Sequence, residues 1–161
     1  MSECIHRKLC PNDCPCDYYE KEKRMKIKLD PGAYMPLRAH PTDAGLDLRC
    51  TKDTMMWPQS EATFDTGVHI ELPHGYYGQI ESKSGLNVNH SMVSCGGTID
   101  EGYTGSIKVK LYNLGNQDHL FKAGDKIAQL VIMPYIAPEL EVVDDLEETE
   151  RGASGFGSTG R

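Results

Sequence analysis

Ser106-Ile107-Lys108-Val109-Lys110-Leu111-Tyr112 alternates residue by residue. In an extended chain Ile107, Val109 and Leu111 fall on one side and Lys108 and Lys110 on the other, so the stretch reads as a strand with one face in a core and one in water. Leu114-Gly115-Asn116 then breaks the chain. Upstream, Met25, Ile27 and Leu29 alternate with Lys26 and Lys28 in the same way. Val68 to Leu72 and Gly78 to Ser82 read as further short strands around the turn His74-Gly75. Lys126 to Met133 is almost continuously apolar, which predicts a central strand buried on both faces. One short helix is expected after Ser84. No 3.6-residue period persists for a long helix, and there is no internal repeat. With 16 Gly and nine Pro to make turns, the pattern predicts an all-β sandwich or barrel.

The length of 161 residues suits one compact domain with a proper core. Seventeen Lys+Arg against 24 Asp+Glu leave a formal charge of -7, which argues against an electrostatic grip on nucleic acid. Apolar residues make up 39%, enough to exclude wholesale disorder. No apolar run approaches the roughly 18 residues of a membrane span, and the N-terminus lacks the apolar stretch of a signal peptide. The expectation is a soluble cytoplasmic protein with neither nucleic acid nor membrane as partner. Composition divides the chain into a Cys-rich appendage over 1–24, a β core over 25–138, and an acidic linker with a Gly-rich arm over 139–161.

Four of the six cysteines, Cys4, Cys10, Cys14 and Cys16, crowd the first sixteen residues. A secreted disulfide framework would spread them through the fold. Two readings remain: a reduced tail, or a small zinc site with His6 as a further ligand. The Cys14-x-Cys16 spacing is tighter than the usual structural zinc pair.

The C-terminal arm runs Arg151-Gly152-Ala153-Ser154-Gly155-Phe156-Gly157-Ser158-Thr159-Gly160-Arg161. Such a segment is either a frayed end or a lid over a nucleotide. Glycine-rich backbone can wrap phosphate oxygens, Arg151 adds a planar cation, Ser158 and Thr159 add hydroxyls, and Phe156 offers a face for a base. Glu81-Ser82-Lys83-Ser84-Gly85 sets a cation, hydroxyls and a glycine at a strand-to-helix turn, where N–H groups bind anions, though Lys-Ser-Gly is also common in ordinary loops. Gly96-Gly97-Thr98-Ile99-Asp100-Glu101-Gly102-Tyr103-Thr104-Gly105 reads as a tight hairpin. Its Asp100 is either a turn residue bonding its own backbone or a general base acting on water. Asp47, between apolar neighbours in Ala44-Gly45-Leu46-Asp47-Leu48, is either a satisfied turn residue or a helper for a hard cation.

Together these clusters resemble the homotrimeric dUTPase family, whose five motifs occur here in order. Ala44 to Leu48 resembles the first, Lys83-Ser84-Gly85-Leu86 the second, and Gly97 to Asp100 with Tyr103 and Gly105 the third. Gly124-Asp125-Lys126-Ile127-Ala128-Gln129-Leu130 resembles the fourth, and Arg151-Gly152 with Gly155 to Gly160 the fifth. The match covers about residues 25 to 161.

The resemblance implies a jelly-roll-like β-barrel with one short helix, assembled as a homotrimer with an exchanged C-terminal arm and active sites between subunits. Residues 134 to 150 could span up to roughly 55 Å when extended, so a crossing arm is geometrically allowed. It implies hydrolysis of dUTP to dUMP and pyrophosphate, with Asp100 as base and Mg²⁺ on the phosphates, Asp47 standing on the metal side through water. Lys83, Ser84, Gly85 and Gln129 would hold the phosphate chain, joined by Arg151, Gly157, Ser158 and Thr159 from the arm. Main chain at Gly97, Thr98, Ile99 and Asp100 and near Lys108, with Ser94, would read uracil. Tyr103 would pack under the deoxyribose and Phe156 would stack on the base. Lys83 replaces the usual Arg, Glu81 stands where proline is frequent, and Ser94 replaces a frequent Asn. The alternatives are a dCTP deaminase or bifunctional deaminase–dUTPase, which usually lack the full arm, and a nucleotide-responsive regulatory trimer.

Overall fold

In a computed structural model, the residues described are 24–95, 97–150, 152 and 153. Eleven strands and one helix follow in order. They are β1 (Lys26–Leu29), β2 (Gly45–Arg49), β3 (Thr54–Met56), β4 (Ser60–Asp65), β5 (Val68–Glu71) and β6 (Tyr76–Glu81). After helix α1 (Ser84–His90) come β7 (Met92–Ser94), β8 (Thr98–Ile99), β9 (Lys108–Asn113), β10 (His119–Phe121) and β11 (Lys126–Pro134).

The strands form a four-stranded sheet β2-β11-β6-β8, a three-stranded sheet β4-β9-β7, and the two-stranded pairs β1-β5 and β10-β3. Every pairing is antiparallel. This is the expected all-β, jelly-roll-like architecture with its single short helix. Among the described residues, no helix is long and apolar enough to cross a membrane.

The alternation of Ile107 to Tyr112 is borne out. Ile107, Val109 and Leu111 are sealed in the core, while Lys108 is exposed and Lys110 half-buried. Full burial of side chains this size contributes about 1.5–3 kcal/mol each, so the pattern fixes the register of β9. The Phe64 and Phe121 rings meet edge to face at 5.3 Å, joining the sheet that holds β4 to the pair that holds β10.

The β11 expectation holds only in its first half. Ile127, Ala128 and Leu130 are fully buried, but Val131 and Ile132 are half-exposed and Met133 is 41% exposed. A bulge between Lys126 and Ala128 lets the consecutive Ile127 and Ala128 both bury. In the second half Ile132 still packs against the core, and the strand is exposed at Met133 and Pro134.

The hairpin expected over residues 96–105 is corrected. β8 pairs with β6, while β9 pairs with β4 and β7. The segment is therefore a turn that carries the chain from one sheet to another. Its turn chemistry was legible, but the partners of its flanking strands lie far away in sequence.

Candidate active site

Three neighbouring strands assemble one half of the candidate site. Across β2, β11 and β6, Gln129 sits opposite both Asp47 and Glu81. The Gln129 side chain lies over Gly45, where an added Cβ would fall 2.3 Å from Oε1. Gln129 Nε2 donates to the Ser82 carbonyl at 3.3 Å. Ser82 Oγ in turn accepts the Ser94 N–H at 2.8 Å and lies 3.1 Å from Ser94 Oγ, tying β7 to the end of β6. Ser84 and Gly85 open α1 with no side-chain cap.

Asp47 is the electrostatic centre of this half. Its side chain is only 7% exposed, and both carboxylate oxygens are engaged, Oδ1 by Lys83 Nζ and Oδ2 by Lys126 Nζ at 2.6 Å. Burial pushes the Asp47 carboxyl up, but the hydrogen bonds and charges of Lys126 and Lys83 together hold it below the ordinary carboxylate value. Lys126, which the sequence offered only as part of the fourth motif, thus completes a Lys83–Asp47–Lys126 bridge.

The other half surrounds Asp100. β8 lies against β6 with Ile99 opposite Gly78 and Thr98 opposite Gln79. A Cβ at Gly78 would stand 2.8 Å from Leu130 Cδ1 and 3.1 Å from Ile99 Cβ, so glycine is what lets β8 settle there. Asp100 follows in an exposed position, and its carbonyl accepts the Tyr103 N–H at 2.9 Å to close a turn. The Tyr103 ring lies on Gly105, where a Cβ would be 2.5 Å from the hydroxyl, and that hydroxyl donates to the Ser106 carbonyl at 2.9 Å. Ser106 Oγ donates to Asp65, which lowers the Asp65 carboxyl, with the Gly67 N–H adding to the effect.

Two further groups hold this turn. His69 Nδ1 donates to the Thr104 carbonyl at 2.8 Å and Nε2 reaches Asp30 Oδ2 at 3.1 Å. These contacts, that to Thr104 first, raise the His69 pKa. The Glu101 carboxylate accepts from His74 Nδ1, the Gly75 N–H and the Tyr135 hydroxyl, each at 2.9 Å. Those donors, His74 foremost, lower Glu101 to about 2.

The expected site residues thus fall into two groups. Asp47, Lys83, Ser84, Gly85, Ser94 and Gln129 gather at the end of β6 that Ser82 leaves. Thr98, Ile99, Asp100 and Tyr103 run toward the Tyr76 end, since β8 is antiparallel to β6. Five or six residues of strand separate the levels of Asp100 and Lys83, roughly 15–20 Å at about 3.3 Å per residue. Lys108 is exposed at the start of β9, opposite Asp65.

Cavities of about 220 and 320 Å³ touch neither group. The larger is an apolar groove lined by Met25, Ile27, Met35, Leu46 and Ile132 among others. Arg151, Phe156, Gly157, Ser158 and Thr159 of the arm lie outside the described residues, as do Cys4, Cys10, Cys14 and Cys16 with their zinc reading. Among the described residues, no group of three or more His, Cys, Asp or Glu could hold a metal ion.

Sequence pattern alone gives no individual role to His69, Asp65, Ser82, Glu101, Tyr135 or Lys126. Lys126 and Ser82 sit inside recognisable motifs. The others gain their roles only from long-range contacts and leave no local signal.

The dUTPase family model matches residues 32–160. A deoxyuridine 5'-triphosphate nucleotidohydrolase of Cutibacterium acnes is 47% identical over 130 residues, covering 78% of this chain and 85% of that protein. One from Paramecium bursaria Chlorella virus 1 is 38% identical over 133 residues, covering 83% and 94%. The solved structure of Staphylococcus bacteriophage 80alpha dUTPase with dUPNHPP superposes with a TM-score of 0.78 at 33% identity, covering 86% of this chain and 99% of that one. A mutant dUTPase of phage phi11 of S. aureus, described with coordination of a structural Mg(II) ion, gives 0.73 at 30% identity over 78% of this chain and 99% of that one. The family model, the relatives along most of its length and the superposition agree: this chain belongs to the dUTPase family.

Proposed function

We propose that this chain hydrolyses dUTP to dUMP and pyrophosphate with Asp100 as general base. One observation carries the reading. Asp100 stands exposed at the head of a turn whose neighbours Glu101, Thr104 and Ser106 are each tied to other elements. A base acting on water needs that combination of access and fixed position. Asp100 takes a proton from water, and the water oxygen bonds to the α-phosphorus. The bond from that phosphorus to the bridging oxygen breaks, and pyrophosphate leaves.

The roles of the remaining residues belong to the same proposal. Lys83, Ser84, Gly85 and Gln129 hold the phosphate chain, with Arg151, Gly157, Ser158 and Thr159 closing from the arm. Main chain at Gly97, Thr98 and Ile99 and near Lys108, with Ser94, reads uracil, over which Phe156 stacks. Tyr103 forms the floor under the deoxyribose. Its ring is already immobilised on Gly105 by the bond to Ser106, which supports rejection of a 2′-hydroxyl. That a solved neighbour was described with the dUTP analogue dUPNHPP supports the ligand class.

Mg²⁺ belongs here with the substrate, as the ion carried by the triphosphate. Among the described residues no cluster fits a directly bound ion, and both Asp47 oxygens are occupied by ammonium groups. A cation brought beside them would meet two like charges. No step above runs through the metal.

The proposal includes a homotrimer with sites shared between copies. Residues that must meet one nucleotide lie at opposite ends of β6, so one chain alone leaves each half incomplete. Residues Ile136, Leu140, Val142 and Leu146 are 85–99% exposed, an apolar run that calls for cover. The groove of Met25, Ile27, Met35, Leu46 and Ile132 gives a neighbour's segment somewhere to lie. The test is product analysis from dUTP, dCTP, dTTP and UTP. Pyrophosphate from dUTP alone is expected. Ammonia from dCTP would move the chain to the deaminase reading, and inertness of a folded trimer to the regulatory one.

A further inference from the structure

Glu101 is held unlike an ordinary turn acid. Three donors from two other parts of the chain converge on it: His74 Nδ1 and the Gly75 N–H from the turn before β6, and the Tyr135 hydroxyl from just past β11, each at 2.9 Å. Gly75 closes the loop a second time, its carbonyl accepting the Tyr135 N–H at 2.9 Å with φ of +79°. Tyr135 also stacks edge to face on Tyr77, with centroids 6.4 Å apart.

The carboxylate of the residue next to Asp100 is thus bonded to Tyr135, the first residue past β11 on the way to the arm. We propose that Glu101 is a positioning residue for the reaction: it sets the turn that presents Asp100 and couples that turn to the root of the C-terminal segment. The inference rests on the dUTP-hydrolase reading. Charge-assisted hydrogen bonds are short and directional, and three to one carboxylate leave it little freedom. Asp100 begins the same turn, so loosening Glu101 lets the base wander. Displacement of about 1 Å at a reacting group can cost on the order of 10²-fold in rate. The pull of the three donors on Glu101, down to about 2, keeps it an anion and an acceptor throughout the neutral range. Tyr135 is raised by the same contact, so its hydroxyl stays protonated to donate.

The test compares the full-length chain with Glu101→Ala, Glu101→Gln and Tyr135→Phe. Three quantities are read: kcat and KM for dUTP, melting temperature, and amide hydrogen exchange over residues 100–104 and 135–140. Expected for Glu101→Ala is a kcat lower by roughly tenfold with a smaller rise in KM, since the turn carries Tyr103 under the deoxyribose as well as Asp100. Exchange should quicken in both segments together. Glu101→Gln keeps an acceptor and should recover part of the loss, and Tyr135→Phe, which removes one donor to Glu101 from outside the turn, should quicken exchange at 100–104.

Unchanged kcat in Glu101→Ala, or exchange that rises in one segment alone, would overturn the proposal. If Glu101→Ala melts too low to assay, the other two variants decide: lower kcat at near-native melting temperature supports it, and native kcat in both refutes it. If the wild-type chain releases no pyrophosphate from dUTP, the functional reading has failed, and the exchange data alone still decide whether the two segments are coupled.

Discussion

Replacing Asp47 by Asn removes the charge that two lysines share. Asp47 is 7% exposed, and Lys83 and Lys126 are 25% and 38% exposed. Stripping one partner from a buried ion pair costs about 3–5 kcal/mol. The lysine ends here reach solvent, which takes back part of that, so about 2 kcal/mol is expected. For a chain of this length that is a fall of about 4–8 °C in melting temperature. The assay is thermal unfolding at matched protomer concentration, because association adds its own stability. Wild type, Asp47→Asn, Lys126→Met and the double variant form a cycle whose coupling should be about 1 kcal/mol or more. The pH dependence has a definite sign. The folded Asp47 carboxyl lies below its unfolded value of 3.8, so its stabilisation is full above about pH 4 and is lost as pH falls through the folded pKa. Asp47→Asn should remove that part of the acid limb. A variant melting within about a degree of wild type, zero coupling, or a wild-type melting temperature raised by Mg²⁺ alone would refute the bridge and return Asp47 to the metal side.

Three further outcomes are expected. Gly105→Ala drives a Cβ into the Tyr103 ring, so the ring must leave its seat, and the preference for dUTP over UTP in kcat/KM should fall by roughly tenfold or more. His69, whose pKa is raised by the Thr104 carbonyl and Asp30, stabilises the fold below its unfolded value of 6.5 and loses that contribution as pH rises through the folded pKa, so His69→Gln should flatten the decline in melting temperature from about pH 6 to 8. If the proposed trimer shares its sites between copies, Asp100→Asn and Gln129→Ala chains, each impaired alone, should regain part of the wild-type rate when co-assembled, because mixed assemblies would contain sites with both native residues. Mixtures no faster than their parents would contradict sharing.

What the sequence revealed followed the range of its signals. The alternation of Ile107, Val109 and Leu111 is local and physical, and it gave β9 without help. Gly45 and Gly105 are motif-level cues and Gly78 is only part of a strand pattern; the reasons for all three became visible with their neighbours, Gln129, Tyr103, and Leu130 with Ile99. The turn at Asp100 was readable, but a hairpin was not the outcome, since a two-residue β8 finds its partner in β6. Asp47 offered two readings, turn residue or cation helper, and its two lysines, 36 and 79 positions away in sequence, belong to neither. His69, Asp65 and Glu101 escaped for the same reason: each acts through contacts that local pattern does not encode. The separation of the candidate residues along β6 was likewise invisible until strand order was known.

The most direct measurement of the central claim is pyrophosphate release from dUTP by wild type and by Asp100→Asn, with melting temperature recorded for both. A positioned base contributes about 10²–10⁴-fold, so turnover should fall by that order at an unchanged melting temperature. Wild-type turnover in Asp100→Asn would contradict the account.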